Sequence, residues 1–225
     1  MTSKPVGFKA VIGSYGWLDN LCAEICQRGI QSAPDFITVD SADGGSGAAP
    51  LSLMDNVGLP LHESLPIVID KLAAHGLRER VRVIASGKMI TSSDVAWALC
   101  VGAVFVQSAR GFMFALGCIR AMRCHKNTCP TGVTTHTPSR QRGLDPHDKA
   151  VKVKSYAQYV TRDVEVIAHA CGVFEPRRLR RTHALVVTEG GRIIPLNEIF
   201  PEAGVATIEA KSTQATQHFS VPGQS

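Results

Sequence analysis

The sequence predicts an α/β protein with a parallel sheet, built as a piece of a (β/α)8 barrel, and three observations lead there. Four apolar, β-branched runs, at 6–12, 35–39, 81–85 and 103–107, are continuous rather than alternating in hydrophobicity. That is the pattern of parallel strands covered on both faces. A helical pattern follows each run, so βα repeats four times, which requires helical crossovers between parallel strands. Each run also leads into polar or glycine-rich residues, among them Lys9, 40–47, 86–88 and 108–110. An open doubly wound sheet and a barrel segment both fit the repeat. The loops favour the barrel, which gathers strand C-termini around one ligand, and no Gly-x-Gly-x-x-Gly follows the first strand as a dinucleotide fold would have.

Taken in order, the strand Val6–Ile12 precedes a helix over Trp17–Arg28, with Leu18, Leu21, Cys22 and Ile25 on its apolar stripe and Gly29 at its stop. The strand Asp35–Val39 precedes a helix over Leu65–His75 that ends at Gly76. The strand Val81–Ala85 precedes a helix over Ser92–Cys100, capped within Ser92-Ser93-Asp94 and stopped by Gly102. The strand Ala103–Gln107 precedes a helix over Phe112–Arg123. Beyond residue 140 the repeat ends. Pro146–Ala170 reads as a long helix, Leu185–Val187 and Ile193–Leu196 as a small hairpin around Thr-Glu-Gly-Gly-Arg, and Ser212–Ser225 as a polar, disordered tail. The expected organisation is a barrel segment over 1–140, a helical extension over 141–205 and a disordered tail over 206–225.

Composition narrows the function classes. Lys plus Arg number 24 against 19 Asp plus Glu, for a net charge of +5, yet no basic stripe carries interleaved aromatics, so no nucleic-acid partner is expected. The run Arg177-Arg178-Leu179-Arg180-Arg181 reads as a solvated surface. No apolar run reaches membrane-spanning length and Met1–Ile12 is too short and mixed for a signal peptide, so a soluble, cytoplasmic protein without a membrane partner is expected. Seven cysteines, an odd number without such a signal, argue for thiols or metal ligands over disulfides.

The segment Cys118-Ile-Arg-Ala-Met-Arg-Cys124-His-Lys-Asn-Thr-Cys129-Pro-Thr-Gly places three cysteines within twelve residues. Near a helix end that turns into a loop, three thiolates can wrap one centre. Iron–sulfur ligation fits best. Zinc completed by His125 is the rival, though adjacent residues such as Cys124 and His125 rarely both reach one ion. Gly44, Gly45 and Gly47 follow the second strand and let backbone approach a ligand closely. Ser86-Gly87-Lys88 and Ser108-Ala109-Arg110-Gly111 end the next two strands, where barrel enzymes often hold a phosphate. Lys9, a charge within an apolar strand, points to a ligand carboxylate or an electron-rich ring, unless the strand is an edge.

In order along residues 4–140, Pro5-Val-Gly-Phe-Lys9, Asp35-Phe-Ile-Thr-Val-Asp40, Gly44-Gly-Ser-Gly-Ala-Ala-Pro50, Ala85-Ser-Gly-Lys88, Ser108-Ala-Arg-Gly-Phe-Met-Phe-Ala-Leu-Gly-Cys118 and Cys124-His-x-Asn-x-Cys129-Pro-Thr-Gly-Val resemble the synthase domain of FMN-binding glutamate synthases. The resemblance implies a (β/α)8 barrel of which this chain supplies the last four βα units. It implies FMN and a 3Fe-4S cluster held by Cys118, Cys124 and Cys129. It implies Lys9 beside the flavin and substrate, the FMN phosphate on Ser86, Gly87, Lys88, Ala109 and Arg110, and Gly44, Gly45 and Gly47 along the flavin. The implied activity is reductive amination of 2-oxoglutarate to glutamate, fed by an electron-donor protein or reductase subunit.

Two departures qualify that expectation. Larger members have Asp-Gly-Gly where this chain has Ser86-Gly87-Lys88, which brings it closer to the shorter, stand-alone branch. These 225 residues show no counterpart of the family's amidotransferase domain or of its first four strands, and the expected partner is an N-terminal half-barrel or a second copy. The rival readings are a non-flavin, phosphate-binding barrel of the inosine-monophosphate dehydrogenase kind and an inactive, zinc-bearing fragment.

Overall fold

A computed structural model describes residues 4–43, 50 and 52–202. Strands β1 (Gly7–Val11), β2 (Phe36–Asp40), β3 (Arg82–Ser86) and β4 (Phe105–Gln107) form one parallel sheet in the order β1-β2-β3-β4. Helices α1 (Gly16–Arg28), α2 (Leu61–Ala74) and α3 (Ser92–Val101) are the crossovers, with α1 packed on α2 and α2 on α3. The strand order never reverses. Right-handed crossovers that always step the same way set their helices on one face, whereas a doubly wound sheet reverses at a switch point. The sheet nonetheless stays open. Among the described residues β1 and β4 each have one neighbour, so no barrel is closed; the sequence led to an expectation of four βα units of a barrel, and four are what the sheet contains. Four strands are too few: a side-chain-filled barrel needs about eight.

The central strands and the helices make the core. Ile37, Val39, Val83 and Ala85 meet Leu18, Cys22 and Ile25 of α1 and Leu65, Val68 and Leu72 of α2, all buried. Helix α2 begins at Leu61, four residues earlier than predicted, because Leu61 extends the same buried stripe; Pro66 costs it one backbone hydrogen bond without ending it. The cap of α3 is Thr91 rather than the predicted Ser92 cluster. The Thr91 hydroxyl accepts from the Asp94 N–H at 3.2 Å, and the Asp94 carboxylate accepts from the Thr91 N–H at 2.8 Å, a reciprocal capping box.

The chain continues through α4 (Arg110–Ala115), α5 (Pro138–Gln141) and α6 (Pro146–Ala170), then an antiparallel hairpin of β5 (Leu185–Val187) and β6 (Ile193–Pro195), and α7 (Leu196–Ile199). Helix α6 packs on α3 and α4. The arginine run is not uniformly solvated, and Arg181 corrects that reading. Its side chain is 2% exposed and binds the Asp70 carboxylate of α2 bidentately at 2.6 and 3.2 Å while donating to the Phe200 carbonyl at 2.8 Å. Arg177 lies over the Phe105 ring, and Arg178 faces water. Two short 3-10 turns with buried Leu179 between them send these arginines to different neighbours. No helix among the described residues is long and apolar enough to cross a membrane.

Replacing Asp70 strands a buried guanidinium. Asp70→Asn is expected to lower stability by about 2 kcal/mol, under the range for a fully buried pair because the carboxylate is partly solvated. Urea denaturation checks this; an unchanged midpoint would show that the extension is not anchored there.

Candidate functional site

Parallel pairing brings the C-terminal strand ends to one edge of the sheet. Asp40 stands opposite Val11 and Ser86 opposite Gln107. A cavity of about 360 Å³ opens there, and Lys9, Ser86, Gly87, Lys88, Ala109, Arg110, Cys118, Cys124 and Cys129 all line it. Gly44, Gly45 and Gly47 lie outside the described residues.

Lys9 is on edge strand β1 and half exposed, and its ammonium reaches across the sheet. It pairs with Asp40 at 2.9 Å and donates to the Ser86 hydroxyl at 3.2 Å, so a cation from the middle of β1 ties together the ends of β2 and β3. Its charge in an apolar run is thus compensated. The turn after β3 depends on Gly87, at φ 103°, where a Cβ would strike Ser41. Lys88 follows with φ 49°, and its ammonium pairs with Asp43 at 2.6 Å. Ser41 binds that same Asp43 carboxylate and accepts from the Leu61 N–H at 3.1 Å. The Ser86–Lys88 loop is therefore held by the β2 loop.

Helix α4 is shorter than the predicted 112–123 span. Gly117, at φ 97°, donates to the Phe114 carbonyl at 2.8 Å, and the Cys118 N–H donates to the Met113 carbonyl at 2.9 Å. This pair is a Schellman stop, which places Cys118 in a loop. Arg120, Met122 and Asn127 then adopt positive φ angles of 53–56°, unusual for residues with a side chain. The Cys118 sulfur accepts from the Arg120 N–H at 3.5 Å. Asn127 accepts from the His136 N–H at 2.6 Å and from the Thr135 hydroxyl, while α5 pins the loop through Arg140 to Thr128 and Gln141 to Thr135.

Cys129 is buried in this loop. Burial pushes its thiol up, but hydrogen bonding from Thr131 and Thr134 outweighs that and holds it down at about 6. The Thr131 hydroxyl lies 3.4 Å from the sulfur. The Thr134 hydroxyl, buried and also on the cavity, makes no hydrogen bond of good geometry, so Thr131 and the backbone account for the lowering. Cys22 is in the main core, Cys100 and Cys171 belong to a small cluster between α3 and α6, and none of the three lines the cavity. Cys26, also on α1, is exposed and does not line the cavity. Among the described residues no three His, Cys, Asp or Glu side chains converge as ligands of a single ion, and His125 is exposed, outside the cavity lining. Sequence reasoning missed Asp40, Asp43, Thr131 and Thr134 as site residues. The visible signal was an acid ending a strand and two threonines following the last cysteine.

In the metal-free chain, iodoacetamide labelling of Cys129 is expected to rise through about pH 6 and then level off, whereas Cys100, pushed up to about 11 chiefly by burial, still reacts faster with each step at pH 9. Peptide mass spectrometry across pH 5–9 reads both sites, and parallel profiles would refute the difference.

Comparison with known proteins gives this geometry a family. Residues 19–174 match the family described as "Conserved region in glutamate synthase". The glutamate synthase large subunit-like protein YerD of Bacillus subtilis (strain 168) is 41% identical over 196 residues, 87% of this chain and 37% of that protein. The archaeal glutamate synthase (NADPH) of Methanocaldococcus jannaschii is 34% identical over 149 residues, 66% of this chain and 29% of that protein. A flavocytochrome b2 variant with pyruvate bound aligns over the whole chain and 42% of its own at 16% identity and a TM-score of 0.46, too slight a likeness to argue from. The chain thus spans only 37% and 29% of these two curated relatives, and it belongs to the glutamate synthase family.

Proposed function

We propose that the chain is the C-terminal half of a glutamate synthase-type (β/α)8 barrel, an oxidoreductase that aminates 2-oxoglutarate to glutamate with FMN and a 3Fe-4S cluster. The observation that carries this reading is the cavity itself. Two loop cations, a strand lysine and three cysteines from distant parts of the chain line one space. The residue types suit both groups, and the three sulfurs line the cavity without converging on one point. Cys118, Cys124 and Cys129 would hold the cluster; the lowered thiol of Cys129 suits a thiolate ligand. Ser86, Gly87, Lys88, Ala109 and Arg110 would hold the FMN phosphate, with Gly44, Gly45 and Gly47 along the flavin and Lys9 toward the substrate.

When bound, the flavin supplies the hydride that reduces the imine formed from ammonia and the 2-oxo acid with loss of water. This chain's own residues position and neutralise. Arg110 and Lys88 offset phosphate charge, and an incoming dianion competes with Asp43 for Lys88. Lys9, held by Asp40 and Ser86, offers an ammonium to a substrate carboxylate. An electron-donor protein or reductase subunit would feed the cluster, and an N-terminal half-barrel or a second copy would cover the open strands. A zinc site built from the three cysteines and His125 is less well supported, because the histidine lies outside the cavity.

Visible absorption, iron and acid-labile sulfide, measured on anaerobically purified chain, test the reading. Flavin bands with iron and sulfide support it; a colourless protein with stoichiometric zinc overturns it. Cys118→Ser, Cys124→Ser or Cys129→Ser is expected to abolish the iron signal, whereas Cys22→Ser or Cys171→Ser leaves it intact. Arg110→Ala is expected to weaken FMN binding by about 1.5–3 kcal/mol, the scale of a charge-assisted hydrogen bond; unchanged retention in a flavin-release titration would remove Arg110 from the phosphate site.

A further inference from the structure

Tyr156 belongs to α6, more than forty residues beyond the last βα loop, yet its hydroxyl touches both loops assigned above to the phosphate. It donates to the carbonyl of Ile90 at 2.7 Å, two residues after Lys88, and lies 3.1 Å from the Ser108 hydroxyl, two residues before Arg110. Its ring stands edge-on to Phe112 at 5.0 Å between centroids. Gly111 is required beneath it, because a Cβ there would collide with the Tyr156 hydroxyl. One phenol oxygen therefore fastens the loop after β3 to the loop after β4, and α6 fixes that oxygen.

From this geometry we infer that Tyr156 is a positioning residue for phosphate recognition, a strut that sets the separation of Lys88 and Arg110. The physical reason is the cost of bringing two cations to one dianion. Charge-assisted hydrogen bonds are sharply geometric. Loops that must be drawn together on binding lose affinity to ordering, and loops already tied at the right separation do not. The tie holds the two loops rather than a ligand, since neither Ile90 nor Ser108 lines the cavity while Lys88 and Arg110, two residues away on each loop, do. The inference rests on the flavin reading above and adds a residue that touches neither flavin nor substrate.

The test compares FMN with riboflavin, which has the ring but no phosphate, by fluorescence quenching on the full 225-residue chain. Tyr156→Phe keeps the ring against Phe112 and removes both hydrogen bonds. It is expected to raise the Kd for FMN about tenfold, the scale of one to two hydrogen bonds, and to leave the Kd for riboflavin unchanged. Ser108→Ala, which cuts one of the two ties, is expected to give a smaller loss of the same selectivity. Tyr159→Phe, on the exposed side of the same helix, is expected to change neither Kd. Equal losses for FMN and riboflavin, or no loss, would overturn the strut and leave the flavin reading standing. A wild-type chain that does not prefer FMN to riboflavin would overturn the phosphate reading itself.

Discussion

Parallel pairing in one unreversed order is the constraint on which the rest of this structure depends. Each strand must return to the same end before the next begins, so every βα loop emerges on the same edge. Lys9 and Ser86, 77 residues apart in the chain, meet there at 3.2 Å. Site chemistry that looks scattered along the sequence is thereby concentrated in one cavity without any element made solely for it.

Electrostatics at that edge is balanced rather than simply positive. Lys9 sits on Asp40 and Lys88 on Asp43, and both lysines remain well exposed. Pairs of this kind contribute little to stability, about 0–1 kcal/mol. Their value is positional: they hold the ammonium groups at the cavity. The Gly87 turn makes the arrangement possible, since only a residue without a Cβ can pass so close to Ser41.

The cysteine loop stores strain and is held against it. Positive φ at Arg120, Met122 and Asn127 costs on the order of 1 kcal/mol or more for each residue. The bonds from Asn127, Arg140 and Gln141 offset that cost and fix the path between Cys118 and Cys129. Helix α5 thus acts as a buttress, and Gly132 lets the loop press against the Arg140 carbonyl.

By itself the sequence determined the four βα units, the long helix Pro146–Ala170, the hairpin and the polar loops at the strand ends, because those follow from local periodicity and turn residues. The cysteine spacing and the two basic loops were legible for the same reason: they are contiguous. Only the tertiary structure decided the partners of the charges. That Lys9 meets Asp40, that Arg181 is buried on Asp70, and that Tyr156 bridges two loops from a later helix are all contacts between residues far apart in the chain. The end of α4 at Gly117 was a local signal, but Leu116 and the apolar residues around it matched a helical period that ran past it. Burial and pairing are properties of the folded surface, and a run such as Arg177–Arg181 gives no local indication of which guanidinium will face the core.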